Sequence, residues 1–132
     1  METIKSYTDL EQSKVLAKIL PLKSADMHYA TWTILDNEFI VSPNQGSTIE
    51  DLQEDYGNQI IPCWSLAALI SILPDEIKHD GIVNNLWITS KDVSYYSKEY
   101  DSYLYYEEGC TIDACVEMIF KLHKLNYELN LL

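Results

Sequence analysis

The stretch Ile-Ile-Pro-Cys-Trp-Ser-Leu-Ala-Ala-Leu-Ile-Ser-Ile-Leu-Pro, residues 60–74, is the most apolar part of this chain and decides its fold. Its large aliphatic residues recur at helical spacing, at positions 66, 69, 70 and 73, and most of the intervening residues are apolar as well. Ser65 can cap the first turn of such a helix, and Pro74 cannot continue it. The pattern predicts a central packing helix, buried on most sides, with Trp64 buried at its start.

The tripeptide Cys63-Trp64-Ser65 also permits a second interpretation, a nucleophile on a turn that leads into a helix. No glycine flanks it, as a strained nucleophile turn would require, so a core role is favoured. The three cysteines lack a Cys-x-x-Cys spacing, and the three histidines stand far apart in the sequence. We therefore expect reduced cysteines, no metal site, no cofactor and no assigned catalytic residue.

The length of 132 residues and the apolar fraction of 47% are those of a single globular domain that builds its own core. Two small subdomains that meet at the central helix are the alternative. No apolar run is long enough to span a bilayer, and the first residues lack a signal-peptide pattern. The sequence predicts a soluble cytoplasmic protein without a membrane partner.

The formal net charge is -12, with 21 acidic residues against 9 basic ones, and all of the basic residues are lysine. Direct binding of nucleic acid normally depends on a basic patch and on arginine side chains that grip phosphates and guanine. Nucleic-acid binding is therefore not expected. The acidic surface could bind a basic protein, although solubility alone also explains it.

The first elements are predicted from local signals. Thr8 and Glu11 match a capping box, which places a helix over residues 9–19. Alternating apolar and polar residues then predict a β-hairpin, with strands over 29–35 and 39–41 and a turn at Asp36-Asn37.

Residues 43–58 read as a flexible acidic loop, in which Thr48 can cap one short helical turn. Four carboxylates in this loop could coordinate a cation, but they lack the spacing of a calcium loop, so a solvated face is favoured. We retain them as candidate binding residues: Glu50, Asp51, Glu54 and Asp55.

Further strands are predicted over residues 86–89, 93–97 and 102–106, after a polar connection that ends at Gly81. Six of the ten tyrosines lie between positions 95 and 106. Tyrosine is enriched in recognition surfaces and is also an ordinary strand residue, and adjacent tyrosines must point to opposite faces of a sheet. The candidate binding residues here are Tyr95, Tyr96, Tyr103, Tyr105 and Tyr106.

A final helix is predicted after Gly109. Its buried stripe is formed by small and aliphatic side chains, and Glu117 and Lys121 are spaced for an ion pair on its exposed side. The expected stripe is Ile112, Cys115, Val116, Ile119 and Leu122. Together the elements predict an α+β fold, a mainly antiparallel sheet of four to five strands covered by three helices in the order α-β-β-α-β-β-α.

Three groups of segments resemble a family of short uncharacterised proteins from phages and mobile elements of gut bacteria. The segments are Glu11-Gln12-Ser13-Lys14 with Leu20-Pro21 and Ser24-Ala25-Asp26-Met27, Ile61-Pro62-Cys63-Trp64-Ser65-Leu66 with Ala68-Leu69 and Leu73-Pro74, and Asp113-Ala114-Cys115-Val116-Glu117-Met118-Ile119. The resemblance implies a phage-related cytoplasmic accessory protein. It carries no assigned activity, so no residue roles follow from it.

The leading functional hypothesis is a non-enzymatic protein-protein interaction module, an inhibitor or adaptor that presents an acidic, tyrosine-bearing surface to an unknown protein partner. Mimicry of nucleic acid by aligned carboxylates is a narrower version of it. The alternatives are a small enzyme with a Cys/His pair and a small-ligand-binding domain with a pocket lined by tyrosines and Trp64 or Trp87. Exposed strand edges are also compatible with a homodimer.

Overall fold

The computed structural model describes residues 5–31 and 39–131, with Asn58 by its backbone alone. The chain forms two compact units, and the division falls within one helix, after Ala68. The N-terminal unit (residues 7–68) contains α1 (Leu10–Leu16), β1 (Met27–Ala30), β2 (Ile40–Pro43), α2 (Ile49–Tyr56), β3 (Ile60–Cys63) and the start of α3 (Leu66–Ile72). The C-terminal unit (residues 69–130, with 5 and 6) contains β4 (Glu76–His79), β5 (Ile82–Ile88), β6 (Asp92–Ser97), β7 (Ser102–Glu108) and α4 (Thr111–Lys124).

The N-terminal unit is built on a three-stranded antiparallel sheet in the order β2-β1-β3. Strands β1 and β2 pair with Ala30 opposite Ile40, as the predicted hairpin requires. The predicted continuation of the first strand and the turn at Asp36-Asn37 lie outside the described residues. Strand β3 pairs with the other side of β1, with Ala30 opposite Ile60.

Helix α1 begins one residue later than predicted. Its N-cap is Asp9, which forms a capping box with Gln12 rather than the expected box of Thr8 and Glu11. Thr8 is unavailable as a cap because its backbone N–H donates to the carbonyl of Trp64 (2.9 Å) and its hydroxyl accepts from the Trp64 N–H (3.2 Å). This extended pairing with the residue after β3 holds Thr8 outside the helix.

The stretch at residues 60–74 forms a strand, a short helix and a connection rather than a helix alone. Trp64 is buried as predicted, and the Ser65 hydroxyl accepts from the Ala68 N–H in the expected cap (3.2 Å). The predicted stripe is wrong at one position, since Ile70 is exposed while Ile72 is buried. Helix α3 therefore buries one face and not most of its circumference.

The C-terminal unit is built on a four-stranded antiparallel sheet in the order β4-β5-β6-β7. Strand β4 replaces most of the polar connection that the sequence predicted. It turns into β5 through Asp80-Gly81, where both residues have positive φ (52° and 79°). An Asp-Gly pair of this conformation suits the tightest β-hairpin, because its twist matches that of the flanking strands.

Helix α4 follows β7 and covers the inner face of β6 and β7. All five residues of its predicted stripe are buried. The predicted ion pair of Glu117 with Lys121 is wrong, because Lys121 pairs with Glu107 of β7 instead. Glu107 on the adjacent strand is half-buried, whereas Glu117 is exposed to water, where an ion pair contributes little.

The α+β class and the antiparallel pairing are confirmed. The layout differs from the prediction in detail, since the described residues form two sheets of three and four strands instead of one, and four α-helices instead of three. In the described ranges 5–31 and 39–131, no helix has the length and apolar character needed to span a bilayer.

Candidate functional site

The acidic candidates Glu50, Asp51, Glu54 and Asp55 lie on α2 of the N-terminal unit and are exposed. The segment is helical over two turns, so much of the predicted loop is ordered secondary structure. The Thr48 hydroxyl caps this helix by accepting from the Asp51 N–H (3.1 Å). Acidic side chains in the first turn are favourable beside the positive end of a helix, which gives Glu50 and Asp51 a structural role.

The tyrosine candidates lie on β6 and β7 of the C-terminal unit, and strand alternation divides them between the two faces of the sheet. Tyr95 points inward, is fully buried and donates its hydroxyl to the Pro74 carbonyl (2.7 Å). Tyr105 also points inward, and its hydroxyl donates to that of Tyr127 (2.9 Å). Burial and this hydrogen bond raise the pKa of Tyr105 to about 12.

The remaining three tyrosines share the outer face with Trp87 of β5. The register places Trp87 opposite Ser94, Tyr96 opposite Tyr103, and Tyr106 opposite Ser94. The rings form a continuous row: Trp87 to Tyr96 is 4.9 Å between centroids, Tyr96 to Tyr103 is 5.1 Å, and Tyr103 to Tyr106 is 5.2 Å. We call these four residues the aromatic surface.

The aromatic surface is open to solvent. Trp87 is 44% exposed, Tyr103 56% and Tyr106 42%. Neighbouring rings contact one another in tilted or edge-to-face arrangements, so each ring helps to fix the orientation of the next. A row of exposed aromatic side chains is typical of recognition surfaces rather than of a solvated sheet face.

A β-bulge makes the row continuous. Tyr95 pairs with Tyr105 and Tyr96 with Tyr103, so Leu104 has no partner on β6. In a regular strand, residues three positions apart such as Tyr103 and Tyr106 point to opposite faces, whereas the bulge absorbs the extra residue between them. The bulge therefore places both rings on the outer face.

Carboxylates border the aromatic surface and hold its hydroxyl groups. Asp101 accepts a short hydrogen bond from Tyr96, and Asp92 accepts one from Tyr106 (3.2 Å). The hydrogen bond to Asp101 raises the pKa of Tyr96, and partial desolvation together with Asp92 raises the pKa of Tyr106. Both phenols stay neutral at physiological pH and point their protons at carboxylates, which leaves the electron-rich ring faces for a ligand.

The charge of this region is predominantly negative. Strands β6 and β7 carry Asp92, Glu107 and Glu108 and no lysine. The turn between them adds Lys98, Glu99 and Asp101, a further excess of one negative charge. Aromatic rings bordered by carboxylates favour a cationic ligand, because both the ring faces and the anions attract positive charge.

Sequence reasoning named Trp87 only as a possible pocket residue beside tyrosines, and it missed Asp92 and Asp101 as members of this site. The Asp80-Gly81 pair could have identified the β4–β5 hairpin, and strand alternation from there would have placed Trp87 on a defined face. No local signal marks the bulge at Leu104.

An open groove of about 570 Å³ lies between β7 and the second half of α4. Its lining is mostly apolar and includes Tyr105, Phe120 and Leu125. The predicted pocket residues Trp64 and Trp87 do not line it. Lys121 also lines the groove. It pairs with Glu107, and its Nζ lies 5.7 Å from the centre of the Tyr105 ring.

The cysteines and histidines do not form a catalytic pair in the described part of the chain. His28 contacts Asn44, and His79 contacts Tyr127 and Asp80. Burial raises the pKa of the Cys63 thiol, and burial raises that of Cys115 to about 12. Residues 5–31 and 39–131 also contain no group of three His, Cys, Asp or Glu side chains that could hold a metal ion.

The thiols are expected to react unequally with iodoacetamide at pH 8. Cys110 is partly exposed and should be modified first, whereas Cys63 and Cys115 are buried. A rise in pKa from 9.0 to about 12 lowers the thiolate fraction of Cys115 about 1000-fold, and burial slows it further. Peptide mass spectrometry over time measures each rate, with the urea-unfolded chain as the control. Fast labelling of Cys63 or Cys115 in the folded protein would return the nucleophile hypothesis to consideration.

Comparisons of the chain with protein-family models, with curated proteins and with solved structures give no match. Function is therefore inferred from the geometry and charge of the surfaces described above.

Proposed function

We propose that the protein is a non-enzymatic interaction module that binds a basic segment of another protein through the aromatic surface. The observation that carries this proposal is the row of four adjoining rings on the outer sheet face, bordered by Asp92 and Asp101; Trp87, Tyr103 and Tyr106 are exposed and Tyr96 is half-buried. In the setting implied by the family resemblance, such a module acts in the cytoplasm as an inhibitor or adaptor during phage infection or during the maintenance of a mobile element.

The chemistry of the surface favours arginine and lysine side chains. A cation over an exposed aromatic ring gains about 0.5–1 kcal/mol, so the four rings together contribute about 2–4 kcal/mol at most. Arginine also stacks its planar guanidinium on a ring and binds carboxylates with two hydrogen bonds. The net charge of -12 increases the association rate of a basic partner.

The proposal is tested with capped ten-residue peptides of arginine, lysine or glutamate, titrated by calorimetry at low salt. Deca-arginine is expected to bind most tightly, deca-lysine more weakly and deca-glutamate not at all. The double variant Trp87→Ala with Tyr103→Ala should bind deca-arginine about tenfold more weakly, which corresponds to ~1.4 kcal/mol. Both side chains are exposed, so the fold should persist.

Charge-matched variants separate a specific surface from the general attraction of an acidic protein. Asp101→Asn with Glu108→Gln removes two charges beside the aromatic surface, and Asp113→Asn with Glu117→Gln removes two from α4, which covers the inner face of the same sheet. With the titrations of these variants made at about 0.1 M salt, the first pair should weaken binding at least three times more than the second, since screening then limits the range of exposed charges to about 10 Å. Equal losses in the two pairs, or an unchanged affinity in the aromatic variant, would refute the proposed function.

A further inference from the structure

Strand β7 is the end strand of its sheet and, among the described residues, pairs with β6 alone. In an antiparallel sheet, alternate N–H and C=O groups of an end strand point away from its neighbour and can pair with another chain. The segment from Tyr105 to Glu108 lies beyond the bulge and pairs regularly with β6, so its free edge is straight enough to accept a further strand.

The groove lies along this same segment. Tyr105 and Glu107 line it from β7, while Phe120 and Leu125 line it from α4. Its charged groups are two lysines and two glutamates, Lys121, Lys124, Glu107 and Glu117, so its net charge is zero. A mostly apolar, neutral groove of this size fits aliphatic or aromatic side chains.

The opposite side of the same strand presents different chemistry. Tyr106 and Glu108 point to the outer face, where Tyr106 belongs to the aromatic surface. The edge of β7 thus separates an apolar groove on the inner face from an acidic aromatic surface on the outer face. Successive side chains of a strand placed along this edge would point alternately to the two.

We propose that β7 receives an extended segment of the partner as a fifth strand of the sheet, in which basic residues alternate with apolar ones. The apolar side chains enter the groove, the basic side chains lie on the aromatic surface, and backbone hydrogen bonds to Tyr105–Glu108 hold the segment in register. This inference rests on the proposed function, since it assigns the basic partner a conformation and a sequence pattern.

Charge complementarity favours this occupant over a second copy of the chain. Opposite charges on adjacent strands stabilise a pair, and like charges directly across destabilise it. Two β7 strands side by side would bring Glu108 of one copy near the acidic residues of the other, and neither strand carries a lysine to neutralise it. A strand with lysine or arginine at alternate positions neutralises Glu108 instead.

The test uses a capped peptide of alternating sequence, Lys-Val-Lys-Leu-Lys-Val-Lys, and the same peptide with N-methyl groups at alternate backbone nitrogens. Methylation removes backbone donors along one edge but keeps every side chain and charge. The unmethylated peptide is expected to bind at least tenfold more tightly to the full chain. Its binding should slow hydrogen exchange of the free-edge amides within residues 105–108.

Two matched controls accompany this test. A peptide of the same composition with its lysines grouped at one end should bind at least fivefold more weakly, because its side chains no longer alternate between the faces. Leu125→Asn places a polar group in the groove and should weaken binding of the alternating peptide, whereas Val15→Asn changes a similarly exposed residue on α1 and should not.

Each result has a defined consequence. Equal affinity of methylated and unmethylated peptides, or no binding of either while deca-arginine still binds, would overturn the added strand and leave the proposed function standing. Unchanged binding in Leu125→Asn would overturn the role of the groove. A dimeric mass by light scattering, with residues 105–108 already protected in the protein alone, would identify a second copy as the occupant and refute the inference.

Discussion

Replacing Trp64 with alanine is expected to lower the free energy of unfolding by about 3–5 kcal/mol, the range for truncating a buried large aromatic side chain. Trp64 is fully buried, with 0% of its surface exposed. Its indole N–H donates to the Ser24 hydroxyl (2.9 Å), which in turn donates to the Pro21 carbonyl (2.6 Å). The substitution therefore creates a cavity and also removes one member of a hydrogen-bonded chain.

Urea unfolding followed by circular dichroism measures this loss, and Trp87→Ala is the matched control. It makes the same chemical change at a residue that is 44% exposed, so it should cost about 1 kcal/mol or less. Losses of equal size in the two variants would contradict the assignment of Trp64 to the core and Trp87 to the surface.

Substitutions at the adjacent residues Tyr95 and Tyr96 are expected to differ strongly in their effect on the free energy of unfolding. Tyr95→Ala is expected to cost on the order of 4 kcal/mol, because the ring is fully buried and its hydroxyl satisfies the Pro74 carbonyl. Tyr96→Ala should cost about 1 kcal/mol, the scale of its ring contacts with Trp87 and Tyr103.

Binding should show the reverse order. Tyr96→Ala interrupts the aromatic surface and should weaken deca-arginine binding, whereas a variant that changes only the inner face should leave the affinity of the folded protein unchanged. Tyr95→Phe serves for that comparison, since it keeps the buried ring and removes only the hydroxyl. Calorimetric titration of both variants measures the difference. Weaker binding in Tyr95→Phe than in Tyr96→Ala would contradict the division of these tyrosines between two faces.

The elements with strong periodic patterns were predictable from the sequence. The stripe of α4 repeats small and aliphatic residues over three turns, so the buried face of this helix could be predicted from their spacing alone. The hairpin of β1 and β2 and the burial of Trp64 follow equally from residue types. Adjacent tyrosines on β6 were also correctly assigned to opposite faces, since that result depends only on strand geometry.

The remaining features depend on contacts between residues distant in the sequence. The capping box forms at Asp9 and not at the predicted Thr8, because Thr8 pairs with Trp64, which lies 56 positions further along the chain. Lys121 forms its ion pair with Glu107 and not with Glu117, because Glu107 on the adjacent strand is the less exposed of the two carboxylates. The aromatic surface joins Trp87 to tyrosines of two other strands, and its membership requires the register of all three.

The unpaired Leu104 shows that the length of a strand can matter as much as its composition. Tyr103 and Tyr106 adjoin although they lie three positions apart, because the bulge absorbs the extra residue between them and keeps both rings on one face. A one-residue insertion or deletion in β7 that no such bulge absorbs would turn every following side chain to the other face of the sheet and separate these rings.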